Sequence, residues 1–566
     1  MRAWLRLSPL FCSLGLVLGL GALLSWGSSM AQGEPLFRPP TADHRPPPLS
    51  AVSRRSSAVT GTQPLSPCVY LPLIARSVPP VALLELTADP SSIAADGIST
   101  STVTALLKDA YANPLSGVTV TFTATLGTLS HPRRTSDAEG TASVVLTSAI
   151  TPGVSTISAS ADSITCTAEV TFTISPTPEV RGLWVKRYDY GCPEDVAHIV
   201  ERAAYAHFNA IFFQVRGQAD AYYQSHYEPW AARLTGTVTE TLGQDPGWDP
   251  LQVALDEARA RGLQLHAWIN VYPVWVTSQE GHFPPEGTTP PHLFWTLSHA
   301  YGWANWRQWY DEDHPLLLTD IGRSPYLCAS PAVTLTVEHT ISVCQDIVAN
   351  YAVDGLHLDY IRYIGPEFSQ DPISRARFSE TQAISPTLTW AEWQRSQVTE
   401  LVDRIYQEVI LPRPEVMLTA AVWPIYRDRW GWIEDDGYDG YYQDSQGWMQ
   451  GSHIDGIAPM LYAHSLCMGG EEYYSRFYTL TQDFVDHDNG RFVLAGIYGG
   501  TDAGMSHYDG FEDLAASIDL ARQAGAAGQA IFSYGLIEER GYWDDFREGP
   551  YQQPAMLPAM EWRERE

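Results

Sequence analysis

Asp354-Gly355-Leu356-His357-Leu358-Asp359-Tyr360-Ile361-Arg362-Tyr363 is the stretch on which the reading of the fold turns. Side chains alternate along a strand, so Leu356 and Leu358 share one face while His357, Asp359 and Ile361 share the other. Amphipathic segments of helical spacing flank it at 333–351 and 393–410. A strand between two helices is the repeating unit of a parallel sheet. The same unit recurs on both sides. Short apolar runs at 180–187, 210–217, 264–272, 416–424, 454–464, 492–499 and 529–535 alternate with helical stretches at 194–208, 251–261, 472–485 and 511–524. Eight strands alternating with helices over residues 179–566 predict an α/β fold, a (β/α)8 TIM barrel rather than an open sheet. The block is longer than the usual ~250 residues, and the excess lies mainly in the connection 273–331, after the third strand. Barrels keep their active sites at that end of their strands.

Upstream, residues 81–175 have another texture, with short Val-, Thr- and Ser-rich runs separated by turns such as Ala95-Asp96-Gly97 and Ala112-Asn113-Pro114. Alternation in Val118-Thr119-Val120-Thr121-Phe122-Thr123 marks half-buried strands, and about seven of them make an Ig-like β-sandwich. Residues 32–80, with Pro46-Pro47-Pro48 at their centre, lack apolar periodicity and are expected to be a linker or stalk. Residues 1–31 have Arg2 and Arg6 before an apolar run and end on Ser29-Met30-Ala31, the pattern of a secretory signal peptide. An uncleaved N-terminal anchor is the other reading of that run. Beyond it stand six cysteines, Cys68, Cys166, Cys192, Cys328, Cys344 and Cys467, none at CxxC spacing. Their pairing stays open, with free buried thiols as the alternative to disulfides.

Charge narrows the partners. With 65 acidic against 35 basic side chains the net charge is −30, and Lys108 and Lys186 are the only lysines. Nucleic-acid binding rests on Lys and Arg neutralising phosphates, so no nucleic-acid partner is expected. A polybasic membrane stripe is absent as well.

Strand parity then selects the residues able to face the barrel axis: Gln214 with Arg216, His266 with Trp268 and Asn270, His357 with Asp359, and Met460 with Tyr462 and His464. A packed barrel core favours Val, Ile and Leu at such places, so polar residues there point to a site. Glycosidic cleavage passes through an oxocarbenium-like transition state, which an ionised Asp359 could attack or stabilise. Arg362 or Arg216 nearby would hold that carboxylate charged. A buried ion pair tying strands together is the competing reading of the same residues. His266, His357 and His464 with Asp359 would suit zinc or manganese, but no second histidine pair stands at ligand spacing, so no metal and no cofactor are expected. Tryptophan is concentrated in the same block, with Trp295, Trp303, Trp306 and Trp309 crowding the insertion. Aromatic faces suit the C–H faces of sugars, although large aromatics also fill ordinary cores.

At this point two resemblances bear on function. Ala95-Asp96-Gly97, Asn113-Pro114-Leu115-Ser116-Gly117, Val120-Thr121-Phe122 and Thr135-Ser136-Asp137-Ala138-Glu139-Gly140 resemble the bacterial Ig-like group one domains of invasin and intimin. That resemblance implies a spacer or adhesive module. Val180-Arg181-Gly182-Leu183-Trp184, Phe213-Gln214-Val215-Arg216-Gly217-Gln218-Ala219-Asp220-Ala221, His266-Ala267-Trp268-Ile269-Asn270 and Ile454-Asp455-Gly456-Ile457-Ala458-Pro459-Met460-Leu461-Tyr462 resemble the glycosyl hydrolase-like family ten. This implies a secreted bacterial barrel acting on glycans such as peptidoglycan strands. The chain departs from the family at Val271, where proline is common, and at Ala463-His464, where an aromatic residue is common. Tyr442-Gln443-Asp444 with Trp448 resembles a family segment, which makes Asp444 the first choice for a general acid, ahead of Glu367 and Asp428. Asp444 also reads as a helix N-cap before Ser445. The expectation is a secreted or cell-surface glycoside hydrolase whose partner is a polysaccharide. Asp359 is the nucleophile or stabiliser and Asp444 or Glu367 the acid. Gln214, Arg216, His266, Trp268, Asn270, His357, Arg362 and Tyr462 shape the sugar subsite. A non-catalytic carbohydrate-binding or adhesive surface protein is the alternative.

Overall fold

The computed structural model describes residues 79–149, 151–173, 178–236, 239–277, 283–317, 319–320, 322–432, 435–462, 470–501 and 508–564. The expected signal peptide, nearly all of the expected linker, His464, Cys68 and Cys467 lie outside these residues. The other four cysteines, Cys166, Cys192, Cys328 and Cys344, are free thiols. The chain divides near residue 175 into two compact units.

The first unit is an Ig-like sandwich of two sheets. Leu83–Asp89, Thr100–Lys108, Thr141–Thr147 and Thr128–Leu129 form one; Ser92–Ala94, Ile164–Thr173, Gly153–Ala161, Thr119–Ala124 and Arg133–Thr135 form the other. Along Thr100–Lys108 every second residue is buried, as a sheet with one wet face requires. Val103, Ala105, Leu107, Phe122, Leu146, Ile157 and Phe172 interdigitate between the sheets.

The second unit is a closed barrel of eight parallel strands, which fits a TIM barrel: β1 (Val180–Val185), β2 (Ala210–Arg216), β3 (Gln264–Asn270), β4 (Gly355–Asp359), β5 (Met417–Val422), β6 (Gly456–Pro459), β7 (Phe492–Tyr498) and β8 (Gly528–Phe532). Helices cover its outside, so nearly every strand residue is buried on both faces. One parity faces inward: Trp184, Phe212, Trp268, Met417, Ala421, Ala458, Phe492, Leu494 and Ala530 pack together along the axis. The other parity, including Leu183, Ile211, Ile269, Leu356 and Leu358, packs against the helices. Several strands end before the apolar runs that mark them, β4 at Asp359 and β6 at Pro459. Arg362 and Tyr462 therefore stand beyond the strands, on their loops.

A bulge breaks the parity on β2. Gln214 pairs with Trp268, while Arg216 pairs with Ile269, so two steps on β2 match one on β3. The C-terminal segment closes the opposite end of the barrel, where Trp562 Nε1 and the Arg563 guanidinium donate to the Asp455 carboxylate just ahead of β6. Within the connection after β3, Pro273–Val276 pairs antiparallel with Tyr326–Cys328. These strands and the helix Leu293–Tyr301 build a small core of their own around Val274, Trp275, Phe294 and Trp306. The connection thus brings Tyr326 to the rim formed by the strands' C-terminal ends.

Candidate active site

Asp359 ends β4 level with Asn270 of β3. It is 8% exposed and has two donors on one carboxylate oxygen, the Tyr360 N–H at 2.6 Å and Arg362 Nη1 at 3.4 Å. Tyr360 reaches this position with φ at +52°, a left-handed conformation that costs a bulky residue about 1–3 kcal/mol. Burial pushes the Asp359 carboxyl above the usual carboxylate range; Arg362, the Tyr360 N–H and the nearby Trp268 indole oppose the shift without cancelling it. Arg362 lowers the Asp359 pKa as expected from the sequence, but desolvation outweighs this one neighbouring cation and the net shift is upward. The Trp268 N–H itself is buried and makes no hydrogen bond of normal geometry.

Aromatic side chains wall the rim. The Arg362 guanidinium lies 4.7 Å from the Tyr360 ring and 5.7 Å from Trp423, which packs on Tyr441 at 4.0 Å. Tyr462, buried and close enough to Asp359 for the carboxylate to raise its phenol, contacts Tyr498 and Phe532. Lys186, just past β1, lies over Phe532 at 5.8 Å and 3.7 Å from Asp189. Burial raises the Asp189 carboxyl despite that lysine.

Gln214 and Asn270 share the rim and are hydrogen-bonded to each other there. Gln214 donates to Asn270 Oδ1 at 3.2 Å and accepts from the Arg187 N–H at 3.0 Å, while Asn270 donates to the Gly217 carbonyl at 3.1 Å. These bonds brace the rim between β2 and β3.

Four of the sequence-based assignments are corrected. Arg216 does not neutralise Asp359: past the bulge it is ion-paired to Glu228 at 2.8 Å and donates to the carbonyls of Asn270 and Val271. Glu228 also pairs with His339 at 2.8 Å, and against its burial Arg216 and the His339 hydrogen bond hold its pKa down at about 2. His357 lies inside the packed barrel, fully buried, with Phe212 at 4.4 Å. The Trp184 N–H can only donate, so His357 Nε2 accepts it at 3.0 Å and Nδ1 donates to Thr419 Oγ1 at 2.9 Å. Neither nitrogen is left for sugar or metal. His266 is lower still, level with Phe212 and Gly355, and burial holds its pKa down at about 4. Its ring occupies the space that a Cβ at Gly355 would need. Asp444 caps the helix Ser445–Gln450, accepting the Gly447 N–H at 3.2 Å and the Tyr426 hydroxyl at 2.7 Å, so the N-cap reading describes its contacts.

Glu367, by contrast, is exposed on the loop after β4. It and Arg362 both act on the Tyr441 phenol, which burial pushes up to about 12. Asp428 accepts the N–H groups of Trp430 and Trp432 and shapes its own loop. Of the insertion tryptophans, Trp306 is core, Trp295 and Trp309 are half-buried, and Trp303 is exposed over the Arg307 guanidinium at 4.4 Å.

Sequence reasoning missed Arg187, Tyr326, Lys186 and Asp189. Lys186 carried a signal, being one of two lysines and standing directly after the first strand. Arg187 and Tyr326 carried none, because their hydrogen bond of 3.2 Å spans 139 positions.

Fold and site together define a glycoside hydrolase-like barrel: parallel strands, a buried acid at the C-terminal end of β4, an arginine beside it and an aromatic wall. The chain belongs to the family Glycosyl hydrolase-like 10, whose model matches residues 179–486. The preceding unit matches Invasin, domain 3, over residues 81–175. Among curated proteins, Glycosyl hydrolase DigH of Escherichia coli K12 is 29% identical over 267 residues, 45% of this chain and 54% of DigH. The chain thus spans about half the length of that relative. Glycosyl hydrolase YngK of Bacillus subtilis is 24% identical over 402 residues, 68% of this chain and 71% of YngK. Among solved structures, the D0-D1 domain of intimin is 36% identical over 16% of this chain and 46% of its own, with a TM-score of 0.15.

Proposed function

We propose that this protein is a secreted or cell-surface glycoside hydrolase that cleaves a polysaccharide, peptidoglycan glycan strands or another extracellular glycan. The observation that carries the reading is the Asp359 carboxyl: inward-facing at the rim, nearly buried, raised in pKa, and flanked by Arg362 and the buried Trp268 N–H. A carboxyl raised by burial remains protonated at higher pH than a free one, which suits it to protonate the glycosidic oxygen as the C–O bond breaks. This reverses the part first given to Asp359. An ionised partner then offsets the positive charge developing at the sugar carbon; Glu367 takes that part, being exposed on the same loop while Asp444 is engaged as a cap. Trp268, Tyr462 and Trp423 supply faces for the ring, and Arg362 holds the hydroxyl side.

Reducing-sugar release from a panel of purified glycans, with Asp359→Asn as control, tests the reading. Turnover by the parent chain and its loss in the variant are expected. Binding by both forms with turnover by neither would favour the alternative, a carbohydrate-binding surface protein. Export is tested separately: N-terminal sequencing of the chain recovered outside the cell is expected to start just after Ala31, and a start at Met1 would establish an uncleaved anchor.

A further inference from the structure

Arg187 follows β1 directly and is 2% exposed. Its Nη2 donates to the Tyr188 hydroxyl at 2.7 Å and to the Tyr326 hydroxyl at 3.2 Å. The guanidinium lies flat against Gly217, so close that a Cβ there would collide with it. Only glycine permits that approach. The Tyr326 ring in turn meets the Tyr360 ring edge-on, 5.3 Å between centroids, and Tyr360 is the residue whose left-handed backbone presents its N–H to Asp359. A bulky residue stays in that conformation only where its surroundings over-determine it. Here the surroundings are the Tyr326 ring and the Arg362 guanidinium, 4.7 Å from the Tyr360 ring.

We propose that Arg187 and Tyr326 are positioning residues: anchored on Gly217, they hold Tyr360 in its left-handed conformation and thereby fix the hydrogen bond from its N–H to the Asp359 carboxylate. The proposal rests on the reading of Asp359 as the reacting carboxyl. Asp359 faces Arg362 and Tyr360 from its own strand end, Trp268 and Asn270 from β3, Tyr326 from the insertion, and Tyr462 from beyond β6. Of these, the Tyr360 N–H and Arg362 hydrogen-bond it with normal geometry, and the Trp268 indole acts on it in the same sense. Loosening Tyr360 therefore removes a bond that favours the charged form.

The test uses the full chain in three versions, Gly217→Ala, Tyr326→Phe and Arg187→Lys. In Gly217→Ala the new methyl displaces the guanidinium without deleting it. Tyr326→Phe keeps the ring contact and cuts the tether, and Arg187→Lys keeps the charge but cannot hold both hydroxyls. Asp359 is titrated by NMR with carboxyl-labelled aspartate, its signal assigned by its loss in Asp359→Asn, alongside the pH profile of glycan cleavage. In Gly217→Ala and Tyr326→Phe the Asp359 pKa should rise further, by about one unit. The alkaline limb of kcat should move with it to higher pH, with KM little changed; Arg187→Lys should fall between. A merely structural role would lower the melting temperature and leave the titration unmoved, which overturns the proposal. Movement in Gly217→Ala alone would overturn the relay through Tyr326. If no form cleaves any glycan and the titration still moves, the positioning stands and the hydrolase reading falls. Parent-like cleavage and titration in all three variants would do the reverse.

Discussion

His357 and Asp359 are two residues apart on one strand and face the same axis, yet the barrel treats them oppositely. At the level of His357 the interior is closed: both ring nitrogens are engaged, three aromatic rings surround the imidazole, and the pKa is driven well below the ordinary histidine value by burial and by His266. At the level of Asp359 a trace of exposure returns, and the carboxyl has one arginine and a buried indole donor beside it. An inward polar side chain in a barrel therefore does not by itself mark a site. Its height along the strand does, because side-chain layers fill the middle and only the C-terminal ends meet solvent.

The contrast can be broken or sharpened experimentally. At the rim, Asp359→Asn is expected to lower kcat by up to about 10⁴-fold, the upper range for a proton-transferring side chain, in a reducing-sugar assay. The same variant should melt higher at neutral pH. The folded-state pKa of Asp359 is raised, so ionising it costs stability as pH climbs from its ordinary 3.8 through the raised value. The gain in melting temperature should thus vanish below about pH 4. A variant that is both inactive and less stable at pH 7 would place Asp359 with the packed interior.

Beside the rim, Arg216→Met leaves Glu228 buried with His339 alone and should destabilise the fold by about 3–5 kcal/mol in chemical denaturation. Lower in the barrel, the His266 pKa is depressed to about 4 from 6.5. The unfolded chain takes up that proton first as pH falls, so stability should drop between pH 6.5 and 4, by about 3 kcal/mol for this residue at about 1.4 per unit. His266→Phe should flatten the acid limb of a stability-versus-pH curve. Least affected should be Asp444→Ala, which loses a cap for about 1 kcal/mol and leaves sugar release unchanged; a large loss of activity there would restore Asp444 as the acid.

The sandwich and the barrel also differ in how far their sequences expose them. Along Thr100–Lys108 one face is wet, so burial alternates and the strand can be read directly. Along Gly355–Asp359 both faces are buried, and only the flanking helices and the polar members of one parity reveal it. Parity then placed His357 and Asp359 on the inward face and failed at Arg216, because the bulge at Val215 shifts the register by one. Level was not legible at all: nothing local distinguishes the enclosed His266 and His357 from the rim groups Asn270 and Asp359. Asp444 shows the limit of residue type, since an acid before a short helix serves as a cap whether or not a family segment surrounds it.

By itself, the sequence determined the two-unit architecture, the alternation of strands and helices, and the inward parity of Asp359. These follow from periodicities of two and 3.6 residues, which act over single elements and are written in neighbouring side chains. Only the tertiary structure decided that Glu228 claims Arg216, and that Tyr326 crosses 139 positions to meet Arg187 beside Tyr360. Such contacts depend on register, bulges and the path of a long insertion, quantities set by the closed barrel as a whole and carried by no short stretch of chain.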